Sequence, residues 1–146
     1  MNKIHEQVKR PRPRLDRNRH GAATVEFALT APLLFMILFA TLEFGRYNMI
    51  QQTTLNAAFE AARACIVPGA TAANGQTAGL NILQAAGISG GTITINPSTI
   101  LTTTGTVTAT ATVPVKSNLW VTPVFIKTTT TSKSCTLTMD WVNSTQ

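Results

Sequence analysis

Charge is scarce in this chain. Lysine, arginine, aspartate and glutamate make up 12% of its 146 residues, against about 25% in an ordinary soluble domain. Histidine is scarcer still, with two in all and none after His20. Beyond Glu43 the only carboxyl side chains are Glu60 and Asp140. These absences exclude most catalysis, because neither a Ser-His-Asp nor a Cys-His arrangement can be built without histidine. A carboxylate pair requires Glu60 and Asp140 to converge, and each reads as an ordinary charge at the end of an element. Gly90-Gly91 lacks the lysine and the spacing of a phosphate loop. With two cysteines and no histidine near either, a metal site cannot be completed. No catalytic residue, metal or cofactor is therefore expected. Nine glycines and seven prolines are average usage, which excludes collagen-like and Pro/Gly-rich disordered chains. The length allows one domain and rules out a large multidomain enzyme.

The net charge of +6 suggests nucleic acid until it is divided along the chain. Residues 1–20 hold seven of the twelve basic side chains (Lys3, Lys9, Arg10, Arg12, Arg14, Arg17 and Arg19), against Glu6 and Asp16. The remainder is nearly balanced. A phosphate-binding face needs lysine and arginine spread over a folded body; here the charge is a tail, and no nucleic-acid partner is expected.

What the chain does have is one long apolar run. Phe27–Leu42 contains 16 residues without a charge, and Gly21–Gly45 contains only the carboxylates Glu26 and Glu43. A membrane span needs about 20 mostly apolar residues at about 1.5 Å each, so residues 22–45 form a candidate single crossing. Leu33, Leu34, Phe35, Met36, Ile37, Leu38 and Phe39 are apolar all round, leaving no polar stripe for water. Basic residues crowd the N-terminal side, so the positive-inside rule keeps residues 1–21 in the cytoplasm and exports residues 46–146. A cleaved secretory signal should end in a small-x-small site just past the run, and Leu42-Glu43-Phe44 is no such site.

Gly21 closes the basic leader, and Glu26 stands fifth after it in His20-Gly21-Ala22-Ala23-Thr24-Val25-Glu26-Phe27. This resembles the type IV prepilin signal, which a membrane aspartyl prepilin peptidase cuts after the glycine on the cytoplasmic side. The resemblance implies Gly21 as the last leader residue, Ala22 as the new N-terminus and Glu26 as the glutamate of the mature helix. The Glu26-Phe27 pair looks like the glutamate–aromatic variant of tight-adherence (Tad, Flp-type) pilins and pseudopilins. Two roles for Glu26 stay open: it meets the Ala22 amine of a neighbouring subunit and sets axial register, or it snorkels at the cytoplasmic interface.

Farther on, Glu43-Phe44-Gly45-Arg46, Asn56-Ala57-Ala58 and Glu60-Ala61-Ala62-Arg63 extend the likeness. Residues 19 to about 67 resemble the TadE-like family, pilin-like minor components and assembly proteins of tight-adherence pili and related secretion systems. The implied partners are the prepilin peptidase, other pilin-like subunits, inner-membrane assembly proteins and membrane lipid. The implied place is the bacterial inner membrane, single-pass, with the C-terminal domain in the periplasm or at the cell surface. The other reading is a permanently anchored protein that keeps its leader and exports a binding domain.

Glu43 and Arg46, three apart, share a helix face, either paired at the outer membrane interface or solvated. The helix continues over 46–66, with Ile50, Leu55, Ala58, Phe59, Ala62 and Ile66 in helical steps, until Pro68-Gly69 stops it. Pro32 is a candidate kink within the span. Asn74 reads as the N-cap of a second helix, 74–87, stopped by Gly87. Strands are expected over 92–142. Ile93 and Ile95 alternate with threonines, then Val107, Ala109, Ala111, Val113 and Val115 do, and then Cys135, Leu137, Met139 and Trp141 alternate with Ser134, Thr136, Thr138 and Asp140. Such a sheet has one threonine-rich wet face and one apolar face, and the amphipathic half of the long helix is the available cover. The predicted fold is α+β: one transmembrane helix continuing into an amphipathic helix packed on a small antiparallel sheet, as in pilins. The apolar connection Leu119–Ile126 is expected in the core, with contact to membrane or a neighbouring subunit as the alternative.

Cys65 ends the long helix and Cys135 lies on the apolar face of the last strand. On the exported side, where disulfides persist, one intrachain pairing is possible, and the expectation is a Cys65–Cys135 staple of helix to sheet, with two buried thiols as the alternative.

Overall fold

The computed structural model describes residues 17–101, 103–120 and 123–139, with side-chain surroundings from Gly21 onward. Residues 1–16 of the leader, Asp140 and Trp141 lie outside the described residues. The chain divides into two units, residues 1–37 and 38–146.

α1 runs from Arg17 to Cys65, with Pro32 inside it. In the first unit the helix is already formed four residues before Gly21, so the last turn of the leader is helical and not a loop closed by the glycine. Val25, Phe27, Leu29, Leu33, Leu34, Phe35, Met36 and Ile37 all project outward. This is the one helix among the described residues long and apolar enough to cross a membrane. Its all-round apolar surface fits a lipid surround, because a helix in water would carry a polar stripe.

In the second unit the C-terminal part of α1 packs on a three-stranded antiparallel sheet. β1 (Thr92–Asn96), β2 (Thr106–Pro114) and β3 (Thr130–Thr138) lie in the order β1-β2-β3. Ile95, Ala109 and Cys135 form one row across it, and Val107 lies opposite Leu137. The alternation works as the pattern predicts: Ile93, Ile95, Val107, Ala109, Ala111 and Val113 are buried, and the intervening threonines face out. On that outer face Thr108 and Thr136 share a hydroxyl hydrogen bond of 2.7 Å, and Thr112 and Ser132 one of 3.1 Å. Pro114 ends the central strand, where its missing N–H costs the ladder nothing.

The covering face of α1 keeps Ile50, Ala58 and Ala62 of the expected set and leaves out Leu55 and Phe59. Ile50, Thr54, Ala57, Ala58, Ala61, Ala62 and Cys65 are buried, a stripe at helical spacing. Leu55 and Phe59 instead lie 41% and 48% exposed. The alanines of this stripe share one buried core with Ala109 and Ala111 of β2, and the carbonyls of Ala57 and Ala61 lie against Gly79 and Gly75 of α2, an approach that side chains of one carbon permit. Thr54 satisfies its buried hydroxyl by donating to the Ile50 carbonyl at 2.7 Å.

α2 (Ala72–Ala85) begins earlier than expected. Thr71 is its N-cap, and Asn74 sits at the third helical position, where Oδ1 accepts from the Thr71 N–H at 3.2 Å and from the Thr71 hydroxyl. Asn74 thus takes the reciprocal half of a capping box, the place glutamate or glutamine usually fills. The C-terminus closes as predicted at Gly87, whose φ of +67° suits a residue without Cβ. Its N–H donates to the Gln84 carbonyl at 2.9 Å, and that of Ile88 to Leu83 at 2.9 Å, while the side chains of Ile88 and Leu83 both join the core. Two further glycines bring α2 close to its neighbours. A Cβ at Gly75 would collide with Cys65 Sγ and the Ala61 carbonyl oxygen, and one at Gly79 with Ile93 Cδ1 and the Ala57 carbonyl oxygen.

Both cysteines are free thiols, in place of the expected staple. The reason is lateral. Cys65 Sγ lies among α2 and β1, against Gly75 and Ile95, whereas Cys135 stands on β3, two strands away in the same row, roughly 9–10 Å across at 4.7–4.9 Å per strand. Burial pushes the Cys65 thiol above its ordinary range.

Candidate functional site

Two groups of residues singled out in the sequence carry chemistry, one in each unit. In the first unit Gly21, Ala22, Glu26 and Phe27 occupy successive turns of α1, all exposed. Ala22 and Glu26 are four apart, so they share a face about 6 Å apart along the axis. Apart from its chain neighbours and the helix's own backbone, no described atom lies within 4 Å of where a Gly21 Cβ would stand. Thr30 donates its hydroxyl back to the Glu26 carbonyl at 3.0 Å and to that of Phe27 at 3.3 Å, which hides a polar group that the apolar run would otherwise present to its surroundings.

In the second unit Glu43 and Arg46 are neither paired with each other nor solvated. They are 5% and 7% exposed, and each has its own partners in the connection between β2 and β3. The Glu43 carboxylate accepts three consecutive backbone N–H groups: Val124 on Oε2 at 3.1 Å, Phe125 on Oε1 at 3.1 Å and Oε2 at 3.3 Å, and Ile126 on Oε1 at 2.6 Å. Hydrogen bonds to an ionised acceptor are the strong ones, about twice a neutral bond. Phe44 stacks on Phe125 with ring centroids 6.4 Å apart. Arg46 donates from Nε to the Asn118 carbonyl at 2.9 Å and from Nη1 to Met49 Sδ at 3.2 Å, and its Cζ lies 4.8 Å from the centre of the Trp120 ring. A guanidinium over an indole face is a favourable cation–π contact. Leu42, Glu43, Arg46, Leu119 and Trp120 enclose a cavity of about 100 Å³.

Asn118 is the member that sequence reasoning missed. It ends a short 3-10 turn, Lys116–Asn118, and is buried. Its Nδ2 donates to the carbonyls of Ser89 at 2.9 Å and Pro114 at 2.7 Å, while Oδ1 accepts the Ser89 N–H at 2.9 Å. One side chain thus ties the loop after α2 to the end of β2, and its own carbonyl anchors Arg46. No spacing rule marks a lone asparagine in Lys-Ser-Asn-Leu-Trp as such a junction.

The connection itself divides against expectation. Ile126 is buried and Leu119 half-buried, as a core segment should be, but Trp120 is 73% exposed, Val124 70% and Phe125 43%. The N–H groups of residues 124–126 bound to Glu43 fix the backbone with Ile126 inward, which leaves the side chains of Val124 and Phe125 outside. Glu60 forms an exposed ion pair with Arg63 at 3.5 Å, one helical turn apart, as an end-of-element charge would.

No curated protein and no solved structure matches the chain. Over residues 21–63, from Gly21 through Glu26, Glu43 and Arg46 to Arg63, it matches the family model described as TadE-like protein, the family that the sequence resemblance named.

Proposed function

We propose that this chain is a pilin-like subunit, a pseudopilin, that takes part in assembling a tight-adherence-type pilus or a related secretion apparatus. The observation that carries the reading is the family match, which begins at Gly21 and covers the apolar helix and its continuation. A TadE-like match suggests a pilus-associated membrane protein, and the single apolar helix fits a single-pass one. In this reading the basic leader stays in the cytoplasm, the helix crosses the inner membrane and residues 46–146 are exported.

A prepilin peptidase then adds water across the Gly21–Ala22 bond, leaving a carboxylate on Gly21 and an ammonium on Ala22. A carboxylate within a membrane costs about 2.5–3.5 kcal/mol at the helix centre and demands a partner. Glu26 finds it in the Ala22 ammonium of a neighbouring subunit, and the contact sets the axial register. Both residues are exposed on one helix face, which is the geometry such a contact requires. The role is association with other pilin-like subunits and membrane assembly proteins, and not catalysis.

N-terminal sequencing of the protein extracted from bacterial membranes tests this. A chain starting at Ala22 supports it. A chain still starting at Met1 makes the protein a permanently anchored module with an exported binding domain.

A further inference from the structure

Trp120, Val124 and Phe125 have no place in the core, and the assembly role above makes no use of them. Large apolar side chains exposed on a single connection call for a partner, and their attachments point to which one. Their tethers run to one turn of α1. Glu43 binds the backbone of residues 124–126, Phe44 stacks on Phe125, and Arg46 lies against Trp120. That turn is the first one past the charge-free run Phe27–Leu42. Within the same unit Leu38, Phe39 and Leu42 also stand about half exposed. The connection is therefore tethered to the turn that directly follows the apolar run.

The polar atoms suit the same place. Backbone N–H groups carried toward lipid need partners, and those of Val124, Phe125 and Ile126 have the Glu43 carboxylate. The carboxylate in turn is compensated by the donors it holds. Indole is the side chain most at home where hydrocarbon meets headgroups, and Trp120 is the most exposed of the three. Lys127, exposed just after the buried Ile126, is placed to meet lipid phosphates.

Resting on the single-pass reading, we infer that Trp120, Val124 and Phe125 form a membrane-interface wedge. It lies in the headgroup–acyl boundary of the leaflet where α1 emerges, and Glu43 holds its shape. The lipid bilayer is the partner, and the connection gives the exported body a second contact with its own membrane.

The test uses the full chain in phosphatidylcholine/phosphatidylglycerol vesicles, carrying Trp141→Phe so that Trp120 is the sole indole. The reciprocal Trp120→Phe chain supplies the Trp141 background. Blue-shifted Trp120 emission is expected, quenched by phosphatidylcholine brominated near the top of its acyl chains and resistant to aqueous iodide. Adding Glu43→Ala should shift the emission red and abolish the bromolipid quenching. Free access of iodide to Trp120 overturns the wedge, and so does shielding from iodide without bromolipid quenching, which assigns the patch to a neighbouring subunit. Carbonate extraction separates the two levels: a chain stripped from the vesicles defeats the single-pass reading together with the wedge, whereas a retained chain with a watery Trp120 defeats the wedge alone.

Discussion

Gly75→Ala adds one methyl group where α2 crosses α1, and the structure sets the sign of its effect. The new Cβ would lie 2.7 Å from the Ala61 carbonyl oxygen and closer still to Cys65 Sγ. The sulfur can turn aside. The carbonyl is fixed by the helix, so α2 must move, and with it the core side chain Leu83. Overpacking of this kind costs about 1–3 kcal/mol, while glycine to alanine in a helix recovers up to about 1 kcal/mol of propensity. The net expectation is a loss of about 1–2 kcal/mol, which at about 4–8 °C per kcal/mol for a domain of this size lowers Tm by roughly 5–15 °C. Thermal melting of the detergent-solubilised full chain by circular dichroism measures it. Asn81→Ala, exposed on the same helix, is the control, since it has the propensity gain without the collision and should melt at or slightly above the parent. Gly79→Ala should fall between the two, because its tightest contact, 2.9 Å, is to the movable Ile93 Cδ1. A Gly75→Ala chain as stable as the parent would refute the close approach of α2 to Cys65 and Ala61.

Other expectations follow from the same contacts. Glu43→Ala should release the backbone of residues 124–126 and expose the bond after Phe125 to chymotrypsin; Glu43→Gln, which keeps one acceptor oxygen, should be cut at an intermediate rate, and equal rates for all three chains would remove the clamp. Cys65 should react slowly with maleimide at neutral pH and speed up as pH rises, because burial raises its pKa and only the thiolate attacks; slow modification that stays flat with pH would mean access alone limits it. Glu26→Ala should leave insertion and trimming after Gly21 intact while preventing incorporation into the assembled structure, and normal incorporation in a pull-down with partner subunits would end the register role.

Sequence patterns made the elements legible because period-2 and period-3.6 patterns are strong here. Val107, Ala109, Ala111 and Val113 alternate with threonine as only a half-wet strand does, and Gly87 punctuates α2 as a left-handed residue should. Where several faces of a helix are apolar, spacing alone does not choose among them: helical steps place Leu55 and Phe59 with Ile50, Ala58 and Ala62, yet Ala57 and Ala61 are buried in their stead, since the distance to a neighbouring element is a tertiary property absent from a one-dimensional spacing. Capping slipped by three residues because Thr71 and Asn74 are both good caps and their reciprocity appears only in three dimensions. The charged pair was found but not its partners. Glu43 and Arg46 satisfy themselves on backbone groups of residues 118 and 124–126, and main-chain donors leave no mark on residue identity. By pattern Cys135 lies on the sheet face that the helix ending in Cys65 covers, but Cys65 Sγ meets Gly75 of α2 while Cys135 stands on β3, and which part of the sheet a helix end crosses is not announced by the sequence.

The alanine-rich core under the sheet leaves mutational latitude on one side of the sheet only. Outward positions such as Thr108, Thr110 and Thr112 can exchange among valine, isoleucine and serine at little expense, whereas Ala57, Ala61, Ala109 and Ala111 admit nothing larger without prising the layers apart. Variation accumulating in such a protein would therefore rewrite its wet surface freely while the buried alanine positions stayed at single-carbon side chains.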